Sequence, residues 1–216
     1  NPTSPNVGRV LKQTIGGLNG SGVPAGGTIS YEYRVLDTAA PNDFNKPVFQ
    51  NTVTNRNGTR SEYQFNRLGN IVRIRKFTNR KVRPGDPEFF ETRYEYNKDG
   101  EMVRMIYPEG NSIEYVYDDR NPDRFQQGNL LVQIRKPDSR RGGDQQFIKT
   151  SYSYEPVYNQ VRTVTEARGN DPDYVPQNGG ANNQGRYTTV YVFDYQEGQN
   201  FAALANELGV NQDALF

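Results

Sequence analysis

The carboxylates Glu91, Glu95, Glu109 and Glu114 are the set of side chains in this sequence whose type and grouping could support catalysis. Paired acids serve glycoside hydrolysis as proton donor and as base or nucleophile. Their placement points elsewhere, because each falls on the outward side of an expected strand or in a turn, where a solvated charge is the ordinary state. Asn170-Asp171-Pro172-Asp173 offers the oxygen ligands that a hard cation takes, but a plain Asx-Pro turn explains the same residues. The sequence contains no His and no Cys. That removes the usual general base, the Ser-His-Asp arrangement, thiolate nucleophiles, disulfides and Cys- or His-ligated metal sites. The stretch from Gly16-Gly17 to Gly26-Gly27 is rich in Gly and Ser but lacks the lysine of a phosphate-binding loop. The expectation is a chain that is not an enzyme and holds neither cofactor nor metal.

Basic residues number 26 against 25 acidic ones, and 19 of the 26 are Arg. In Ile71-Val72-Arg73-Ile74-Arg75-Lys76 and Ile134-Arg135-Lys136 they alternate with apolar residues, as on the solvent side of a strand. A nucleic-acid partner would want this charge uncompensated, and the net charge is only +1. Arg stems are therefore expected to cover sheet surface and pair with acids of neighbouring strands. No apolar run has transmembrane length, so no membrane span is expected.

The elements that must carry these side chains are announced by a recurring phrase, an aromatic pair two residues apart followed by a turn. It stands at Tyr63-Gln64-Phe65-Asn66 with Gly69, at Tyr94-Glu95-Tyr96-Asn97 with Gly100, and at Tyr115-Val116-Tyr117-Asp118. Looser copies are Tyr31-Glu32-Tyr33, Tyr152-Ser153-Tyr154 and Tyr191-Val192-Phe193-Asp194. Residues two apart in a strand share a face, so each pair is expected to bury together while Arg93 and Glu95 turn the other way. Asn97-Lys98-Asp99-Gly100 and Pro108-Glu109-Gly110-Asn111 are turn chemistry, which makes 91–118 strand, turn, strand, turn, strand. Tyr63, Phe65, Tyr94, Tyr96, Tyr115 and Tyr117 are expected to form one continuous buried ladder. Hydrophobic residues make up only 33% of the chain, yet 15 Tyr and 11 Phe supply strand-favouring area, which suits a thin-cored β protein better than disorder.

The phrase resembles the RHS or YD repeat, whose pattern runs Tyr-x-Tyr-Asp, Gly-Arg-Leu, a short strand and Pro-x-Gly. The match is closest from Tyr94 through Gly100, Pro108 and Gly110 to Tyr115 and Tyr117, and extends loosely from about residue 6 to about residue 195. Gly-Arg is kept only at Gly8-Arg9, and Tyr154-Glu155-Pro156 has no Gly in its turn. The resemblance implies an all-β fold, an antiparallel β-hairpin repeat array wound as a YD-type spiral or solenoid. Relatives of this kind include the shells of Tc-type toxin complexes and teneurins. It also implies a bacterial, secreted or cell-surface, toxin-associated setting. The structural repeat residues carried over are Tyr63, Phe65, Gly69, Tyr94, Tyr96, Gly100, Pro108, Gly110, Tyr115, Tyr117, Tyr152, Tyr154, Tyr191 and Phe193.

Residues 1–195 are thus expected to be one array, with inserts near 38–46, 79–88, 137–145 and 168–186 looping from one edge of the sheet. Residues 196–216 are expected to form a short helical tail, with Phe201, Leu204, Ala205 and Leu208 at helical spacing between Asn200 and Gly209. This tail is more weakly similar to the start of a LysM module. The expected function is non-catalytic, part of a β-sheet scaffold, shell or fibre. Expected partners are further repeats of a longer parent chain or head-to-tail copies of this one. The alternative is a carbohydrate-binding adhesin, with a glycan held on exposed Tyr faces or by the tail.

Overall fold

The structure is a computed structural model that describes residues 6–39, 43–78, 83–142, 144–171, 173, 187–193 and 195. The expected helical, LysM-like tail over 196–216 lies outside the described residues, as do parts of all four inserts. The chain divides into two compact units, residues 1–109 and 110–216. The first contains β1 (Lys12–Ile15), β2 (Gly27–Val35), β3 (Phe49–Thr54), β4 (Arg60–Phe65), β5 (Ile71–Phe77), β6 (Phe89–Tyr96) and β7 (Met102–Ile106). The second contains β8 (Ser112–Tyr117), β9 (Leu130–Lys136), β10 (Ile148–Tyr154), β11 (Val161–Thr165) and β12 (Thr188–Val190). The protein is all-β. Within each unit every described pairing is antiparallel and joins strands consecutive in the chain. Short 3-10 turns at Arg124–Gln126 and Ala167–Asn170 are the helical elements among the described residues.

The three strands expected over 91–118 are β6, β7 and β8. The five aromatic pairs from Tyr31-Tyr33 to Tyr152-Tyr154 fall in β2, β4, β6, β8 and β10, every second strand. The sixth differs: β12 ends at Val190, and Tyr191 and Phe193 lie just beyond it, although the Tyr191 amide still donates to the Arg162 carbonyl at 2.8 Å. All four inserts fall in connections between strands. They do not share one edge, because connections in a meander alternate ends: 38–46 joins β2 to β3, while 79–88 joins β5 to β6 at the opposite end of the same unit.

Alternation divides the first unit into two faces. One row across it reads Tyr33, Asn51, Tyr63, Ile74, Thr92, and the row beside it on the other face reads Glu32, Thr52, Glu62, Arg75, Glu91. The tyrosine pairs collect on one face and most of the ions on the other, where Phe77 and Phe89 also stand. The aromatic rows are not the expected continuous ladder. A motif strand is always followed by a plain one, so Ile74 stands opposite Tyr63 and Met105 opposite Tyr94. The rings are half-buried rather than enclosed. Val48 and Val72, at 5% and 4% exposure, are the buried hydrophobic residues among those described, and the core is accordingly thin.

Candidate functional site

After the aromatic pairs of β4 and β6 the next residue organises the turn. Asn66 Oδ1 accepts from the amides of Leu68 and Asn70, both at 2.9 Å, and Asn97 Oδ1 accepts from those of Asp99 and Glu101 at 3.1 and 2.9 Å. In both turns the backbone closes between the Asn and the residue four further on, and the Gly between them is left-handed, with φ 86° at Gly69 and 84° at Gly100. Glycine reaches this region without the penalty a Cβ would bring. Asn19, outside the motif pairs, makes the same two bonds to Ser21 and Val23, with Gly22 at φ 77°. The Gly- and Ser-rich stretch is therefore partly a hairpin turn.

Where β4, β6, β8 and β10 meet the strand that follows, register slips by one residue at the second aromatic, whereas β2 pairs with β3 in unbroken register. The slips fall at Gln64/Phe65, Glu95/Tyr96, Val116/Tyr117 and Ser153/Tyr154. Such bulges bend a strand and increase its twist. In three pairs the second tyrosine reaches back to the first residue of the preceding strand or, for Tyr33, to the chain just before it. Tyr96 Oη donates to the Ile71 carbonyl at 2.7 Å, Tyr154 Oη to that of Leu130 at 3.0 Å, and Tyr33 Oη to that of Val10 at 3.0 Å. Burial raises the pKa of Tyr94, Tyr96 and Tyr154. Tyr96→Phe removes one neutral hydrogen bond and is expected to cost about 1 kcal/mol in urea denaturation, whereas Tyr94→Phe, whose hydroxyl makes no such bond among the described residues, should cost less.

The turn without Gly solves the same problem with a longer side chain. The β10–β11 connection has one more residue than 66–70, and the fully buried Glu155 spans it. Its oxygens accept from the amides of Val157, Tyr158 and Gln160 at 2.7, 2.8 and 3.0 Å, and from the Tyr195 hydroxyl. Asn159, at φ 56°, takes the left-handed place that Gly holds elsewhere. Burial alone would raise the Glu155 pKa, but the bonds from Tyr195 and three backbone amides outweigh it and lower it to about 2. Burial, with the same bond and charge, pushes Tyr195 up to about 12. The Tyr195 ring meets Tyr158 edge-on and stacks near Phe193, so this clasp ties the end of the described chain to the β10–β11 turn.

The opposite face of the first unit is a lattice of guanidinium and carboxylate groups. Glu91 contacts Arg75 at 2.7 Å, Arg93 at 2.5 Å and Arg73 at 3.4 Å, and Glu62 contacts Arg60 at 3.1 Å and Arg75 at 3.9 Å. Arg60 lies over the Phe77 ring at 3.7 Å and Arg75 over Phe89 at 4.8 Å. Glu91 is not the solvated charge expected of it: its side chain is only 12% exposed. Burial raises its pKa, yet the bonds from Arg75 and Arg93 and the nearby Arg73 charge hold it below the ordinary value. A carboxylate so held keeps its charge and is a poor proton donor. Glu95 faces Arg104 at 3.9 Å and Glu114 pairs with Lys136 at 2.5 Å.

The remaining motif residues are placed simply. Gly110, at φ 95°, closes the turn that Pro108 enters, and Arg140 and Asp138 pack where a Cβ would stand. Tyr115 and Tyr117 lie on one face of β8, and Tyr152 and Tyr154 on one face of β10. At the candidate cation site, Asp171 accepts from Gln146 and from the Asp173 amide, an Asx turn, and Asn170 donates to the carbonyls of Lys149, Thr165 and Glu166. No group of three acids able to hold a metal occurs among the described residues. The Glu155 clasp was not singled out from the sequence; the signal for it is a Glu in the place of the motif Asn or Asp.

No family model matches the chain, and no curated protein matches it.

Proposed function

We propose that this chain is a non-catalytic structural repeat segment of a secreted or cell-surface protein, forming part of a β-sheet scaffold, shell or fibre. The observation that carries this reading is the recurrence of one hairpin: aromatic pair, register slip at the second aromatic, and a turn closed by the next side chain. A sheet built from such hairpins grows by addition and needs no deep core, in keeping with side chains spent on turns, latches and ion pairs. The RHS or YD resemblance supports the same setting, bacterial and toxin-associated. Its natural partners are further repeats of a longer parent chain or head-to-tail copies of itself. All four residues of β1 are exposed, and among the described residues β1 pairs with β2 alone, which leaves an edge able to accept a strand.

Light scattering over a range of concentrations tests this reading. Mass should grow with concentration, and fibres seen by electron microscopy would show contacts that do not close by rotation. A monomer steady near 24.6 kDa at high concentration would count against a segment that assembles by its edges. The Tyr-face version of glycan binding has less to support it, because the hydroxyls of Tyr33, Tyr96 and Tyr154 are already donated to backbone carbonyls.

A further inference from the structure

The ion lattice stops abruptly at β2. From β4 to β7 the carboxylates on this face, Glu62, Glu91 and Glu95, each touch at least one guanidinium. Glu32 and Arg34, which continue the same face onto β2, are both exposed, and neither makes a side-chain hydrogen bond or ion pair among the described residues. Together with Gln50, Thr52, Arg60 and Glu62 they line a depression of about 490 Å³. Its floor is β3, with Thr52 directly between Glu32 and Glu62. Two inter-strand steps separate its walls, roughly 9.5 Å.

The geometry points to a binding site for a neutral saccharide chain in this groove, which goes beyond the structural role proposed above. Each wall carries one acid and one guanidinium, Glu32 with Arg34 and Glu62 with Arg60, so the groove has no net preference for an anionic or a cationic polymer. Carboxylates only accept hydrogen bonds and guanidiniums only donate them. A ligand serving both must present groups that donate and accept side by side, and vicinal hydroxyls do this: one donates to Glu32 while its neighbour accepts from Arg34. The floor favours the same chemistry. Thr52 Oγ1 accepts from Gln50 at 3.3 Å, which leaves its proton to donate, and Gln50 is itself fixed by Gln64 at 2.9 Å. A floor held by its own bonds costs little ordering on binding. Tyr33 and Thr54 also border the groove, while Tyr63 and Tyr94 lie on the other face of the sheet.

The test is chemical-shift mapping of the isotope-labelled chain with cellotriose, maltotriose and chitotriose, each at millimolar concentration. At least one sugar should shift amides at 32–34, 50–54 and 60–62. Glu32→Gln and Arg34→Gln should each weaken that binding tenfold or more, while Glu95→Gln, on the same face outside the groove, should not. Spectra of the variants away from the groove report whether each is folded. No shifts with any of the three sugars, shifts centred on the tyrosine face, or unchanged affinity in both groove variants would overturn the assignment. So would a charged tripeptide, Lys-Gly-Asp, moving these amides more strongly than the sugars do. Because the assay does not depend on assembly, failure here leaves the scaffold reading standing, and failure of the scattering test leaves this one.

Discussion

Asn66→Ala is expected to destabilise the chain by about 3 kcal/mol, read as a shifted midpoint in urea denaturation, since each buried partner left unsatisfied costs on the order of 1 kcal/mol or more. Asn66 is fully buried and serves three partners: it accepts from the amides of Leu68 and Asn70 and donates through Nδ2 to the Phe44 carbonyl at 2.8 Å. Ala removes all three at once. Leu68 is itself exposed, so water reaches part of the turn and limits the loss. Asn66→Asp keeps both accepted bonds but sets a second acceptor, carrying charge, against the Phe44 carbonyl in a fully buried place, which predicts a cost of about 1 to 3 kcal/mol and a smaller one when acid protonates the carboxyl. If Ala cost less than about 1 kcal/mol, the two amide bonds would have no part in holding the turn.

Acid should loosen the β10–β11 clasp, and Glu155→Gln should abolish that pH dependence. Glu155 titrates near 4.5 when unfolded and at about 2 when folded, so its contribution is complete above 4.5 and is lost as pH falls through about 2. The groups facing it are the Tyr195 hydroxyl, the amides of Val157, Tyr158 and Gln160, and Arg162, whose charge acts on Tyr195. Gln keeps the shape but turns an N–H₂ toward donors, so the variant should melt lower above pH 4.5 and converge with the parent toward pH 2. Melting curves of both chains across that range decide it: a constant gap would mean that Glu155 is not ionised in the clasp. The alkaline side has the opposite sign. Tyr195, raised from 10 to about 12, adds stability below pH 10 that is lost as pH rises through about 12.

The aromatic strands were legible because two physical signals coincide in them: alternation fixes the face, and Asn or Asp with Gly fixes the turn. Tyr94-Glu95-Tyr96-Asn97-Lys98-Asp99-Gly100 states both, and it becomes β6 and the turn into β7. β3 states neither. Phe49-Gln50-Asn51-Thr52-Val53-Thr54 is mostly polar and has no aromatic pair, and it is a strand because β2 and β4 bond to it on both sides. The state of Glu91 was hidden for a related reason. Its outward direction follows from alternation, but its burial depends on Arg73, Arg75 and Arg93 closing over it, and two of these come from a neighbouring strand whose register no local pattern encodes. The ladder failed on connectivity: pairs alike in sequence are not neighbours when a plain strand stands between them. In the candidate groove, the polar character of Glu32 and Arg34 could be read from the sequence, but their lack of partners could not.

Within each unit every strand bonds to its neighbours in the chain, and the turns 55–59, 66–70 and 97–101 each close over five residues. Such contacts have low contact order for a β protein, and little loop-closure entropy opposes the first pairing. Folding can then begin at any of these tight hairpins and advance strand by strand, with no single nucleus that all the rest must await. Gain or loss of a hairpin at an outer edge changes the length of the sheet and leaves the backbone bonds that close the turns 55–59, 66–70 and 97–101 as they were.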